Sequence, residues 1–314
     1  MEIKPELSVI IPVLNEAENI NDLISRLVKV VESELSLNYE IIIIDDGSND
    51  STWATISAAH LSNRNIKGIS FTRNFGHQYA ITAGINHCCG KYAFILDGDL
   101  QHPPELLTIF FSHLREGFDI VAGVRKEEKD ISIPKKLFSK FYYWFFNKVG
   151  DVKIIPGTSD FRLVSSNVIE FIKTLPEIDK FYRALLPWSG FNTFYLPYTA
   201  EKRKKGDPKF SFIKSFTMGI KGIVSFSIKP LYISIYLGFG IASLSFIYGL
   251  YEIYAKLILR SVPAGFTDII ASILFLSGIQ LIVLGVLGIY IGNLKKQTSQ
   301  RPEYLIKNMV GINR

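Results

Sequence analysis

Cysteine is almost missing: the 314 residues hold two, Cys88 and Cys89, and they are adjacent. Neighbouring thiols build neither a disulfide framework nor a zinc site, which agrees with a reducing compartment. The glycine cradles that hold phosphates are missing too. No G-x-G-x-x-G occurs, and the nearest approach to a P-loop, GINHCCGKY from Gly84, has one residue too many between its glycines and Tyr92 where a hydroxyl ligand should stand. The chain opens MEIKPE and enters a strand pattern at once, so no N-terminal signal peptide is read.

Charge is absent from two long tracts, Pro230 to Tyr251 and Ile269 to Leu294, bracketed by Lys229 and Glu252 and by Asp268 and Lys295. About 20 apolar residues cross a bilayer as a helix. The expectation is two membrane helices, about 230–256 and 268–294, joined around Pro263 and Gly265. They supply the excess behind a mean hydropathy of +0.21 and 48% hydrophobic residues. Lys202 to Lys205, Lys209, Lys214, Lys221 and Lys229 precede the first tract, and Lys295, Lys296, Arg301 and Lys307 follow the second, whereas the connection holds only Lys256 and Arg260. By the positive-inside rule both termini and the soluble part are expected in the cytoplasm. Juxtamembrane lysines beside anionic headgroups also account for the net charge of +6, with no role for nucleic acid.

What is present before residue 200 is an alternation of strands and helices. Leu7–Leu14, Tyr39–Asp46, Ile66–Phe71, Tyr92–Asp99 and Phe118–Val124 read as strands, and Glu16–Ser33 and His77–Cys89 as helices. This order predicts an α/β fold with a mainly parallel, three-layer sheet. Ligands of such sheets lie beyond the carboxyl ends of the strands. Polar residues collect there: Asn15 and Glu16, Asp45 and Asp46, Arg73 and Asn74, Asp97 and Asp99, and Arg125.

The fourth of these ends reads ILDGDLQHPPE. Without a glycine cradle, the charge of a nucleotide diphosphate calls for a divalent cation, and magnesium or manganese needs only one or two protein carboxylates when phosphates and water complete the shell. Asp97 and Asp99, with Gly98 between them, suit that role. An EF-hand does not fit, because its sixth position would be His102 and its twelfth Thr108. A pair of aspartates that only turns the chain before a helix beginning near Pro103 remains a structural alternative.

VIIPVLNEAENI, IIIIDDGSNDST, TRNFGHQYA, LDGDLQHPPE and GTSDFRLVSS, in this order, resemble the successive motifs of the family-2 glycosyltransferases with the GT-A fold. The resemblance covers residues 7–210 and, with the two-helix C-terminus, points to the polyisoprenyl-phosphate glycosyltransferases of the GtrB type, relatives of dolichol-phosphate mannose synthase. It implies an inverting transfer of one hexose, with glucose from UDP-glucose as the specific expectation, to undecaprenyl or dolichyl phosphate. Pro12, Leu14, Glu16, Asp46 and Arg73 would serve the nucleotide sugar together with Asp97, Gly98, Asp99 and Gln101. Of these, Asp97, Asp99 and Gln101 would hold Mg2+ or Mn2+. Arg125, Asp160 and Arg162 would be catalytic, and Arg203 and Lys209, in RKKGDPK, would meet the lipid phosphate.

A phosphate monoester with a second pKa of about 6 does not obviously need a general base, so Asp160, kept among the catalytic residues, is read as orienting Arg162, the metal or a sugar hydroxyl; a surface ion pair with Arg162 is the structural alternative. The implied organisation is a GT-A catalytic domain over 1–208, a juxtamembrane helix over 209–229, the membrane helices within 230–296 and a cytoplasmic tail over 297–314. Ser132 to Val149 and Lys209 to Lys229 mix lysine with aromatic residues and read as interfacial helices, with packing into the core as the alternative. Gly238, Gly240, Gly285 and Gly288 would allow packing between subunits, and a homo-oligomer is expected with a tetramer as the working number. Two other functions fit the same fold: a processive polysaccharide synthase, disfavoured by the missing Q-x-x-R-W motif and the few membrane helices, and a non-catalytic nucleotide-binding membrane protein.

Overall fold

The computed structural model describes residues 4–126, 147–148, 153, 155–201, 229–254, 258 and 265–312. The chain divides into two compact units, one of Met1–Trp144, Val152–Lys214 and Arg301–Arg314, the other of Phe145–Asp151 and Ser215–Gln300.

The first unit is built on an eight-stranded sheet of order β7-β5-β6-β4-β1-β2-β3-β8. Strands β1 (Leu7–Val13), β2 (Tyr39–Asp45), β3 (Ile66–Phe71) and β4 (Tyr92–Ile95) form its parallel centre. β6 (Thr158–Val164) runs antiparallel to both β4 and β5 (Ile120–Arg125), and β7 (Thr193–Tyr198) is parallel to β5. It follows that β1 to β5 and β7 all point one way, and their carboxyl ends share one edge with the start of β6. The expected mainly parallel α/β sheet is present, and the five strands expected before residue 125 all form.

Burial explains why the central strands carry no polar alternation. β1 and β2 are buried along their whole length, as a parallel sheet covered on both faces requires. On one face Val9, Ile11, Ile41 and Ile43 join Ile20, Leu23 and Leu27 of α1 (Ala17–Lys29) and Phe110 of α4 (Leu107–Arg115) in a single core. On the other face lies α3 (His77–His87), where a Cβ on Gly84 would stand 2.3 Å from Ile10 Cγ2 and 3.0 Å from Ile44 Cδ1. Only glycine allows that approach, which seats α3 on the strands and sets His77 and Gln78, at its first turn, beside the functional edge. Among the described residues this unit also has the α-helices α2 (Thr52–Ser62), α5 (Ser166–Thr174) and α6 (Tyr182–Ser189).

Two readings change at the ends of elements. β4 stops at Ile95, short of the Asp99 expected, and the chain turns at Gly98 and Asp99. The segment expected as a tail is structured: residues 306–310 form β8 (Ile306–Val310), antiparallel to β3, with Gly68 opposite Val310 and Ile69 opposite Met309. Tyr304 stacks on Phe71 at 5.0 Å, the Thr72 amide donates to Leu305 O, and Lys180 Nζ meets Glu303 Oε1 at 2.7 Å. β8 therefore covers an edge of β3 that would otherwise expose unpaired backbone.

The second unit contains α7 (Lys229–Tyr254) and α8 (Phe266–Thr298). At 1.5 Å per residue they are about 39 and 50 Å long, enough for a hydrocarbon core of about 30 Å. The apolar windows are Ser234–Tyr251 and Phe275–Thr298, and none of either window is buried within the chain. Phe239 is 76% exposed and Leu281 69%, a distribution suited to lipid rather than to water. Gly238, Gly240, Gly285 and Gly288 face open space in the single chain. Arg203 and Lys209, most of the interfacial segment 132–149 and nearly all of 209–229 lie outside the described residues.

Candidate active site

The loop after β4 is the least ordinary stretch of backbone in the first unit. Gly98 lies against β1, where an added Cβ would stand 2.5 Å from Val13 Cγ1. Leu100 follows with φ of 63°, a left-handed conformation that a leucine adopts only under constraint. The constraints are visible: its side chain is 1% exposed in the core, the Gln101 amide donates to Asp99 Oδ1 at 3.1 Å, and the Asp97 amide donates to His102 Nδ1 at 3.1 Å. His102 is buried and stacked on Phe161 at 4.7 Å. Burial lowers its pKa against the pull of Asp97 and Asp99. Because Nδ1 accepts from an amide, the 3.8 Å approach of Asp97 Oδ2 to it is a contact without a shared proton.

Asp97 and Asp99 are half-buried at this edge. Asp97 Oδ1 is closed off from solvent and accepts no hydrogen bond, with His77 Nε2 3.3 Å away. A buried carboxylate oxygen without a donor is costly unless a cation or a proton meets it. Among the described residues no group of three or more His, Cys, Asp or Glu is arranged to hold a metal, so a cation here would draw the rest of its shell from water and phosphate oxygens, as magnesium commonly does. Gln101, expected as a third ligand, accepts from Arg125 Nη1 through Oε1 at 3.1 Å.

Asp160 lies on β6 next to this loop, with Arg162 on the same face of the strand two residues on. It is 1% exposed and accepts from Arg162 Nη2 at 3.0 Å, Gln78 Nε2 at 3.1 Å and Arg183 Nη2 at 3.3 Å, with His77 Nε2 at 3.6 Å. Burial alone would raise its pKa, but Arg183, His77 and Arg162 together hold it well below the usual carboxylate range. Asp160 is thus a fixed anion and a poor proton acceptor. Arg162 is buried as well, at 2% exposure; its remaining bonds go to Ser159 O at 2.8 Å and Tyr182 O at 3.3 Å, so it braces Asp160 from inside. The expected ion pair exists, but in the core rather than at the surface. His77 is itself drawn two ways: burial lowers its pKa, and Asp97 and Asp160 raise it to a net value above the ordinary one.

Other expected residues support the edge. The Asn15 amide donates to Ser48 Oγ, the Asn49 amide to Asn15 Oδ1 and the Glu16 amide to Thr52 Oγ1, which ties the end of β1 to the end of β2. Glu16 accepts from Asn19 Nδ2 at 2.6 Å. Asp46 accepts the Phe75 amide at 2.7 Å and the Gly76 amide at 3.0 Å, so it fixes the entry to α3, and burial raises its pKa against those two bonds. Pro12 is buried opposite Ile44, Leu14 is half-buried at the rim, and exposed Arg73 lies 4.7 Å over the Phe75 ring. The structure brings Asp97, Asp160 and Arg162 into one cluster, with Gln101 and Arg125 paired beside it; Arg73 stays at the periphery. Sequence reading did not single out His77, Gln78, His102 or Arg183. The first three sit inside quoted motifs, whereas Arg183 carried no signal.

Acidic and basic side chains gathered at the carboxyl ends of an α/β sheet, around a buried carboxylate oxygen that accepts no hydrogen bond, make a candidate site with the chemistry for charged, phosphate-bearing ligands. The model of the glycosyl transferase family 2 matches residues 8–170. Three relatives match nearly end to end. The prophage bactoprenol glucosyl transferase homolog of Escherichia coli K12 is 37% identical, covering 97% of this chain and 99% of the relative. The putative glycosyltransferase CsbB of Bacillus subtilis is 40% identical over 96% of this chain and 91% of its own length. The bactoprenol glucosyl transferase of Shigella phage SfX is 37% identical over 96% and 99%. The chain belongs to glycosyl transferase family 2, and it is a glycosyltransferase.

Proposed function

We propose that the protein transfers a glucosyl group from UDP-glucose to a polyprenyl phosphate, with inversion at the anomeric carbon. The similarity over nearly the whole chain to proteins named bactoprenol glucosyl transferases supports the acceptor and the sugar. The geometric observation that carries the reading is Asp97 Oδ1, buried and accepting no hydrogen bond, with His77 Nε2 at 3.3 Å and the Asp160 cluster beside it. Asp97 and Asp99 fit Mg2+ or Mn2+, which when bound neutralises charge on the diphosphate leaving group.

In the transfer, an oxygen of the acceptor phosphate forms the new bond to C1 of the sugar. The bond from C1 to the β-phosphate oxygen breaks, and its electron pair leaves on the nucleoside diphosphate. A phosphate monoester with a second pKa of about 6 is mostly dianionic at neutral pH, so no side chain has to remove a proton. That agrees with an Asp160 whose pKa is depressed. Asp160 holds Arg162, Arg183, Gln78 and His77 in place, and Arg125 with Gln101 borders the acid pair. Arg203 and Lys209 are assigned to the lipid phosphate, and α7 and α8 to two membrane spans with the catalytic unit and both termini in the cytoplasm.

Membranes containing the protein, incubated with labelled UDP-glucose with and without magnesium, should yield one organic-soluble product with the mass of a single hexose on polyprenyl phosphate. UDP-galactose and GDP-mannose serve as controls. A polymer, or no lipid product from any of the three donors, would overturn the reading.

A further inference from the structure

His77 and Arg183 come from different helices, at the starts of α3 and α6, yet both side chains reach one carboxylate. Arg183 Nη2 lies 3.3 Å and His77 Nε2 3.6 Å from Asp160 Oδ2. Asp160 beneath them is 1% exposed, while the His77 and Arg183 side chains keep 36% and 35% of their surface. Arg162, the third basic group on this carboxylate, is different: it is buried and turned inward onto Ser159 O and Tyr182 O. The cluster therefore has a closed side, where Asp160 and Arg162 lock together, and an open side, where the partly exposed side chains of His77 and Arg183 share one anchor behind them. The open side borders the acid pair, since His77 Nε2 is 3.3 Å from Asp97 Oδ1. One guanidinium nitrogen, Nη2, is turned to the buried carboxylate, which leaves the rest of the Arg183 fork, beside the His77 ring, to match the tetrahedral oxygens of a phosphoryl group.

We propose that His77 and Arg183 form a phosphoryl-binding pair, with Asp160 as the positioning residue that anchors both. The inference rests on the proposed transfer reaction, whose two substrates each carry such a group: the diphosphate of the donor and the monoester of the lipid acceptor. The pair grips one of the two.

Calorimetry on the full chain in detergent, with UDP plus magnesium and separately with farnesyl phosphate, reads each source without requiring turnover. Arg183→Gln weakens one probe about tenfold or more, as loss of a charge-assisted hydrogen bond predicts, and leaves the other within about twofold. His77→Ala weakens the same probe, and Arg183→Lys recovers part of the loss. A selective loss for UDP assigns the pair to the donor; a selective loss for farnesyl phosphate assigns it to the acceptor. Unchanged binding of both probes in both variants overturns the proposal, as does an equal loss of both together with a lowered unfolding midpoint. Glucosyl transfer by the wild type is scored separately, so failure of the reaction and failure of the pair give different results.

Discussion

Asp160 and Arg162 stand two residues apart on β6 and meet inside the protein, Nη2 to Oδ1 at 3.0 Å, with neither side chain more than 2% exposed. Breaking such a pair leaves an uncompensated charge in a low-dielectric core, which costs more than the pair itself contributes. Asp160 is therefore a support for the site before it is anything else, and its replacement should be felt in stability as well as in turnover.

Asp160→Asn should lower stability by about 3–5 kcal/mol and glycolipid formation by more than tenfold. The folded pKa lies below the unfolded value of about 4, so the carboxylate's contribution is complete above about pH 4 and fades as pH falls toward the depressed value. Thermal unfolding of wild type and variant in detergent should show a constant gap from pH 5 to 7 that narrows below pH 4. A gap that widens in acid would contradict the assignment.

Gly98→Ala places a methyl 2.5 Å from Val13 Cγ1, on a stiff β-branched side chain in a buried strand. The expected cost is about 1–3 kcal/mol, with loss of activity as the acid pair shifts. Val13→Ala in the same chain should restore part of both, measured as a double-mutant cycle.

Asp97→Asn and Asp99→Asn should each abolish transfer while leaving the unfolding midpoint close to wild type. Chelation should silence the wild-type enzyme, and magnesium or manganese should restore it. Full activity in chelator would remove the cation from the scheme.

Tyr304→Ala should destabilise the catalytic unit by about 1–3 kcal/mol, whereas Tyr304→Phe keeps the stack on Phe71 and should be nearly neutral. Ending the chain after Thr298 should expose the edge of β3 and give an aggregating protein, read by size-exclusion chromatography in detergent.

Gly265→Cys, in the connection between α7 and α8, should react with an impermeant maleimide added to intact cells, while exposed Cys89 should react only after permeabilisation. The opposite pattern would reverse the orientation drawn from the lysines.

The strands that were legible are those buried on both faces. YEIIIID and LSVIIPV are apolar throughout because a covered parallel sheet leaves no side to water. β6 and β7 were not assigned as strands; Asp160 and Arg162, expected from the resemblance at the reacting centre with a surface ion pair as the alternative, are buried by partners that the sequence does not reveal. β8 was missed because IKNMV is short, carries a lysine and follows a membrane helix; only its pairing with Gly68 and Ile69 makes it a strand. The acid pair was legible from its position after a strand. Its surroundings were not, since Arg183 reaches Asp160 from 23 residues away and Gln78 from 82, distances over which one sequence without its fold carries no signal. Asp46 shows the same limit: its bonds to the amides of Phe75 and Gly76, 29 and 30 residues away, are not legible in the sequence.

The chain leaves the catalytic unit before Ser215 and rejoins it after Gln300, so the last strand of the sheet emerges only when both apolar helices have been synthesised. During translation β3 therefore stays without its antiparallel partner until both apolar helices have been made. A chain released before residue 306 is left with an open sheet edge, exposed to chaperones and proteases.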